Sequence, residues 1–170
     1  MCARVKLFLI AILVALAMTN AVCAIGATIP TIVWEQSDLS FMGKAIQCAG
    51  YTKTLKECCA FTVFAPINCA WENLCDPTAD ELLNPRNKST LTAILLHHIV
   101  KGNYTLCELQ NAKCCPLQLK TLDGGTITVR AVDSTVCVDG AQLLGEGISA
   151  SNGMVFKINK VLIPPGVRCR

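Results

Sequence analysis

The 170-residue chain sets 15 lysines and arginines against 12 acidic residues, and a charge of only +3 leaves no basic footprint for a nucleic-acid partner. Its length allows one ordinary domain. Hydrophobic residues make up 52% of it, and part of that excess lies in the first 24 positions.

Residues 1–24 have the form of a secretory signal peptide. Arg4 and Lys6 supply a positive start, residues 7–17 are apolar, and Val22-Cys23-Ala24 places small residues before a cleavage site after Ala24. The apolar run falls short of the roughly 20 residues a membrane span needs. The mature chain is therefore expected outside the cell, with no membrane insertion after cleavage. Cys2 and Cys23 leave with the leader, and ten cysteines remain: Cys48, Cys58, Cys59, Cys69, Cys75, Cys107, Cys114, Cys115, Cys137 and Cys169. An even number in a secreted chain points to disulfides, with the pairing left open. No C-x-x-C pair occurs, and the adjacent pairs Cys58-Cys59 and Cys114-Cys115 are poor chelates for tetrahedral zinc, so neither metal nor cofactor is expected.

Residues 25–33 are β-prone but punctuated by Gly26 and Pro30, and read as an extended arm. Ser37 then caps a helix in which Leu39, Met42, Ala45, Ile46 and Ala49 recur at helical spacing until Gly50 ends it. Residues 54–58 suggest a short second helix. A strand over residues 61–64 stops at Ala65-Pro66, and Asn68 opens a helical turn over residues 69–74. Thr78, with Glu81 three residues on, forms a capping signal. Residues 84–87 read as a loop. Residues 89–100 predict an amphipathic helix with Leu91, Ile94, Leu95 and His98 on one face. From residue 117 the period becomes two. Residues 119–122 and 126–131 flank Asp123-Gly124-Gly125 as a hairpin, and Asp139-Gly140 repeats the device after residues 136–138. Gly145 and Gly147 read as a turn. Ser151-Asn152-Gly153 is another, leading into a strand over residues 154–163 that Pro164-Pro165 stops. Helices first and strands last predict an α+β fold.

Few residues offer chemistry. His97 and His98 are the only histidines. Neighbours on a helix point about 100° apart, so the two do not readily share one metal ion. His98 falls on the inward face as a hydrogen-bonded core residue, which leaves His97 as the more exposed one. Asn87-Lys88-Ser89 and Asn103-Tyr104-Thr105 are glycosylation sequons, with Asn87 and Asn103 as acceptors. The chain contains no G-x-S-x-G, S-x-x-K, H-E-x-x-H or P-loop pattern, and no enzyme activity is expected.

Four blocks, in order, resemble one known family. They are Thr62-Val63-Phe64-Ala65-Pro66-Ile67-Asn68; Leu95-Leu96-His97-His98-Ile99-Val100; Leu122-Asp123-Gly124-Gly125; and the run from Ser151-Asn152-Gly153 to Pro164-Pro165. Together they are similar to the fasciclin, or FAS1, domain over residues 34–165. The resemblance divides the chain into a signal peptide (1–24), an N-terminal extension (25–33), one domain (34–165) and a short tail (166–170). It implies a compact β-wedge or sandwich flanked by several helices. It also implies cell adhesion or extracellular-matrix interaction through a protein or glycan partner such as a cell-surface receptor, and no common catalytic activity. Four departures stand out. His97 replaces the family's Tyr, in a block linked to integrin binding, and Gly145-Glu146-Gly147-Ile148-Ser149 lacks the Asp of the corresponding animal motif, so integrin recognition is not expected. Trp71 replaces a Phe. Cys69 stands where the family has a polar residue, as one sign of a cysteine set peculiar to this chain. The competing reading is a disulfide-hardened, secreted carbohydrate- or lipid-binding effector that uses the fold only as a scaffold.

Overall fold

A computed structural model describes residues 26–56, 60–74, 77–113, 115–133 and 135–167. The signal-peptide expectation therefore lies outside the described residues, as do Cys58, Cys59, Cys75, Cys114 and Cys169.

The first described element is helix α1 (Ile29–Glu35), where an extended arm over residues 25–33 was expected. Pro30 lies in its first turn, where a missing N–H costs no hydrogen bond. Ile29, Ile32 and Val33 share one face and are buried in the core, so this stretch belongs to the domain. The Asn152 side-chain oxygen accepts from the Ile29 N–H at 2.9 Å. A 3-10 turn (Ser37–Leu39) leads into α2 (Ser40–Ala49), which ends at Gly50 as the spacing predicts. Its cap comes from elsewhere in the chain. The Asn68 carboxamide accepts from the Phe41 N–H at 3.1 Å and donates to the Ser37 carbonyl at 3.0 Å and the Ser40 hydroxyl at 3.1 Å. Asn68 thus caps a helix 27 residues away, while its own helix α3 (Asn68–Glu72) has no side-chain cap. The second helix expected near residue 54 is a 3-10 turn, Thr54–Lys56.

Strand β1 (Phe61–Pro66) is buried along its whole length. Helix α4 (Ala79–Leu82) carries the expected Thr78/Glu81 capping box, and the loop at residue 84 is a 3-10 turn (Pro85–Asn87) running into α5 (Lys88–His97). The helix expected over residues 89–100 stops at His97 because Ile99 and Val100 belong to β2 (Ile99–Lys101), antiparallel to β1. Two β-branched residues opposite an open strand gain more as strand than as helix. Helix α6 (Leu106–Gln110) opens on a second capping box, Thr105 with Glu108. Strands β3 (Leu117–Lys120), β4 (Thr126–Val132), β5 (Thr135–Val138), β6 (Ala141–Ala150) and β7 (Gly153–Ile158) follow. Gly145 and Gly147, expected as a turn, form an irregularity inside β6, and β7 ends five residues before the predicted stop.

The seven strands form one sheet in the order β2-β1-β7-β6-β5-β4-β3, curled until a bridge between Val100 and Thr121 nearly closes it. This is the α+β wedge the resemblance implies. The pair β1 and β7 is parallel and carries buried residues on both faces. Outside, Val63, Ala65 and Val155 pack under α1, α2 and α5, with Trp71 fully buried among them. Inside, Phe64 and Phe156 stack at 6.0 Å with Leu109, Val129, Val138 and Leu143. Gly153 lets β1 and β7 meet. Its φ is +145°, and a Cβ there would lie 1.7 Å from the Phe61 carbonyl oxygen. No helix among the described residues is long and apolar enough to cross a membrane.

Candidate functional site

The histidine pair sits where α5 hands over to β2. His98 is 0% exposed. One ring nitrogen, Nδ1, lies 2.7 Å from the Ile94 carbonyl oxygen, which only accepts, so Nδ1 carries the proton and donates. Nε2 then accepts from the Leu162 N–H at 2.9 Å. The ring pins α5 to the segment after β7, with its centroid 6.1 Å from that of the Trp71 indole. Burial is the main cause that lowers its pKa to about 4, helped by nearby His97; the Ile94 bond and Asp123 pull the other way without prevailing. A ring that is neutral, enclosed and bonded at both nitrogens has nothing left to offer a ligand.

His97 is also buried, at 3% exposure, against the expectation that it would be the exposed member. The β3–β4 turn covers it. Its Nδ1 bonds Asp123 Oδ2 at 2.8 Å, while the other Asp123 oxygen accepts from the Gly125 N–H at 3.1 Å and from the Thr121 hydroxyl. Burial pushes the Asp123 pKa up, but the bonds from Thr121, Gly125 and His97 outweigh it and hold the carboxyl below its ordinary value. A Cβ at Gly125 would stand 3.1 Å from His97 Cε1, close enough that the ring would have to shift by a few tenths of an ångström. The order of contacts is imidazole, carboxylate, hydroxyl. A nucleophilic triad needs the imidazole in the middle, so these three residues hold a turn and do not activate Thr121. Sequence reading missed Asp123 as the partner of His97. The available signal was an Asp two residues before a Gly, the pattern of a side chain that bonds its own turn.

The remaining candidates lie at or near the surface. Cys48, Cys69, Cys107 and Cys115 are exposed, Cys137 is half-buried on β5, and all five carry free thiols in this structure. Asn87 is half-buried and its side-chain nitrogen donates to the Glu81 carbonyl at 2.8 Å. Asn103 is exposed in the β2–α6 connection, and its sequon partner Thr105 donates its hydroxyl to Glu108 at 2.8 Å. Among the described residues no group of three or more His, Cys, Asp or Glu is placed to hold a metal ion. Trp34 and Val132 are the most exposed large apolar side chains, at 49% and 62%.

Three cavities stand out. One of about 380 Å³ lies between α3, the β5–β6 turn and the segment after β7, lined by Ala70, Gly140, Lys160 and Val161 among others. A mostly apolar one of about 310 Å³ lies over Leu83, Pro85 and Leu91 with Cys48 and Lys88 at its edge. The third, about 300 Å³, is polar and lies where α6 meets β5 and β6.

Comparison with known proteins gives these features a context. The fasciclin domain model matches residues 37–164. Protein sll1483 of Synechocystis sp. is 32% identical over 138 residues, covering 81% of this chain and 74% of that protein. The immunogenic protein MPB70 of Mycobacterium bovis is 35% identical over 105 residues, 62% of this chain and 50% of that protein. A solved FAS1 domain pair from the insect cell adhesion molecule Fasciclin I superposes with a TM-score of 0.59 at 22% identity, over 75% of this chain and 46% of that one, and shows the same fold. The chain thus spans about three quarters of the cyanobacterial relative and half of the mycobacterial one. With a family model covering most of the described residues and the fold shared, the chain belongs to the fasciclin domain family.

Proposed function

We propose that this chain is a secreted, extracellular adhesion or matrix-interaction module that works by binding a protein or a glycan, possesses no catalytic activity and needs no cofactor. The observation that carries the reading is family membership over residues 37–164, joined to a fold shared with an insect cell adhesion molecule. The histidines support it from the other side: both rings are buried, and both nitrogens of His98 and Nδ1 of His97 bond the protein itself, so recognition falls to other surfaces. A cell-surface receptor is one such partner. Secretion, glycosylation at Asn87 and Asn103 and pairing of the ten mature cysteines belong to the same reading.

Coating a surface with the purified protein and scoring attachment of its own cell type tests the adhesion reading. Attachment above that of a blocked surface is expected. No attachment, with soluble glycans bound instead, overturns it in favour of a carbohydrate-binding effector, the second reading that the polar cavity favours. Peptide mapping of the secreted protein without reductant is expected to find no free thiol, and two or more free thiols would overturn the pairing.

A further inference from the structure

The polar cavity owes its existence to a fault in the sheet. Strands β5 and β6 pair only at Val138–Ala141 and Cys137–Gln142. Beyond that point β6 pairs with β7 alone, and its register shifts between Leu144 and Ile148. Gly145, at φ +77°, permits the irregularity. The gap this leaves beside β5 is bordered by α6 and forms the half-open pocket of about 300 Å³.

Four polar side chains line it: Gln110 from α6, Thr135 from β5, Gln142 from β6 and Glu146 from the irregularity. None of these four side chains has a hydrogen-bond partner among the described residues. The asparagines that tie the fold behave differently: Asn68, Asn84, Asn152 and Asn159 are each bonded to backbone groups. Leu106, Val136 and Leu143 give the pocket its apolar part. Among the described residues no Lys, Arg or His lines it, which disfavours phosphate, sulfate or another anion. No aromatic ring lines it either, so recognition rests on hydrogen bonds over an aliphatic floor.

We infer that this pocket binds one ring of a neutral saccharide. Two carboxamides and a hydroxyl each offer a donor and an acceptor, and the Glu146 carboxylate adds two acceptor oxygens. A sugar ring presents the complement, with hydroxyls that donate and accept around its rim and C–H groups on its faces to meet Leu106, Val136 and Leu143. The volume is at the small end of the range for ligand pockets, about 300–1,000 Å³, which suits a single terminal ring and not a long chain. The inference rests on the glycan-binding side of the proposed function and gives that side a place and a chemistry.

Saturation-transfer NMR of the purified protein against free glucose, galactose, mannose and N-acetylglucosamine, with glucosamine as a cationic comparison, tests it. Transfer to at least one neutral sugar is expected. Combining Gln110→Ala with Gln142→Ala removes two uncharged partners and should weaken that binding about tenfold or more. Glu146→Gln keeps an acceptor and should weaken it only about fivefold. Lys88→Ala, at the separate apolar cavity, should leave it unchanged. Thermal melting of each variant checks that it folds. The inference is overturned by no transfer to any neutral sugar, by transfer that survives the double substitution, or by a response to glucosamine alone that disappears with Glu146→Gln. Cell attachment that persists while sugars fail to bind removes this inference and leaves the adhesion reading. Sugar binding without attachment does the reverse.

Discussion

Two regions of this domain treat their polar groups in opposite ways. Around the β1–β7 pair, polar side chains are committed to the protein. Thr62 donates to the Gly102 carbonyl and accepts from the Tyr104 N–H; Asn68 reaches α2; Asn152 joins α1, the 54–56 turn and, through its carbonyl, β1; His98 joins α5 to the end of β7. At the other end, Gln110, Thr135, Gln142 and Glu146 converge on one cavity, and their side chains bond no other described residue. Only the structure separates side chains that hold the fold from side chains left available to a partner. The exception in the first region is Trp71, whose buried indole N–H has no hydrogen-bond partner.

The contrast can be broken by substitution. Gly153→Ala should have the largest effect, because its Cβ would overlap the Phe61 carbonyl and no flexible side chain can yield; a loss of about 4 kcal/mol or more, or failure to accumulate folded protein, is expected in denaturant unfolding. His98→Leu should follow, at roughly 3 kcal/mol at neutral pH, since it strands the Leu162 N–H and the Ile94 carbonyl. It should also change the acid response. With its pKa lowered from 6.5 to about 4, folded His98 binds fewer protons than unfolded His98 across that interval. Its contribution is full above pH 6.5, declines as pH falls and is gone near pH 4, a span of roughly 3 kcal/mol. Asp123, also held low, adds a loss of the same sign at more acidic pH. The His98→Leu protein should lack the decline between pH 6.5 and 4, and an identical slope in both proteins would show that His98 is not its source. Asn68→Ala should cost about 2 kcal/mol by uncapping α2. Trp71→Phe should change stability by no more than about 1 kcal/mol, lost packing being offset by removal of an unpartnered donor. Gln110→Ala with Gln142→Ala should be nearly silent in melting, within about 0.5 kcal/mol, while abolishing most sugar binding. A strong loss of stability there would place these residues with the structural set.

Much of the fold was legible. The capping box at Thr78, the Gly50 helix end and the two late hairpins follow from local rules, and the structure keeps them. The errors came where a distant segment decided. Residues 25–33 look β-prone alone, but the buried face of Ile29, Ile32 and Val33 and the Asn152 carboxamide, over a hundred residues on, favour a helix from Ile29. Ile99 and Val100 continue a helical pattern until β1 takes them as a strand. At the candidate site, the inward turn of His98 was readable from its helix face. The burial of His97 was not, because the covering turn comes 26 residues later. The polar cavity left no signal at all. Its members, spread from residue 106 to residue 146, share no spacing, and the fault that gathers them looks in the sequence like an ordinary glycine turn.

The parallel pairing of Phe61 with Gly153 and of Pro66 with Ile158 has a consequence for synthesis. The one parallel pair among the described strands joins β1, the first of them, to β7, the last. A nascent chain halted before Gly153 holds β1 with only the short β2 beside it, and has no neighbour for its other edge. Such contacts between distant segments form slowly, after the entropy of closing the long loop has been overcome. The sheet therefore stays open beside β1 until β7 has been made. A deletion that removes β7 should accordingly cost the whole fold, and not merely one strand.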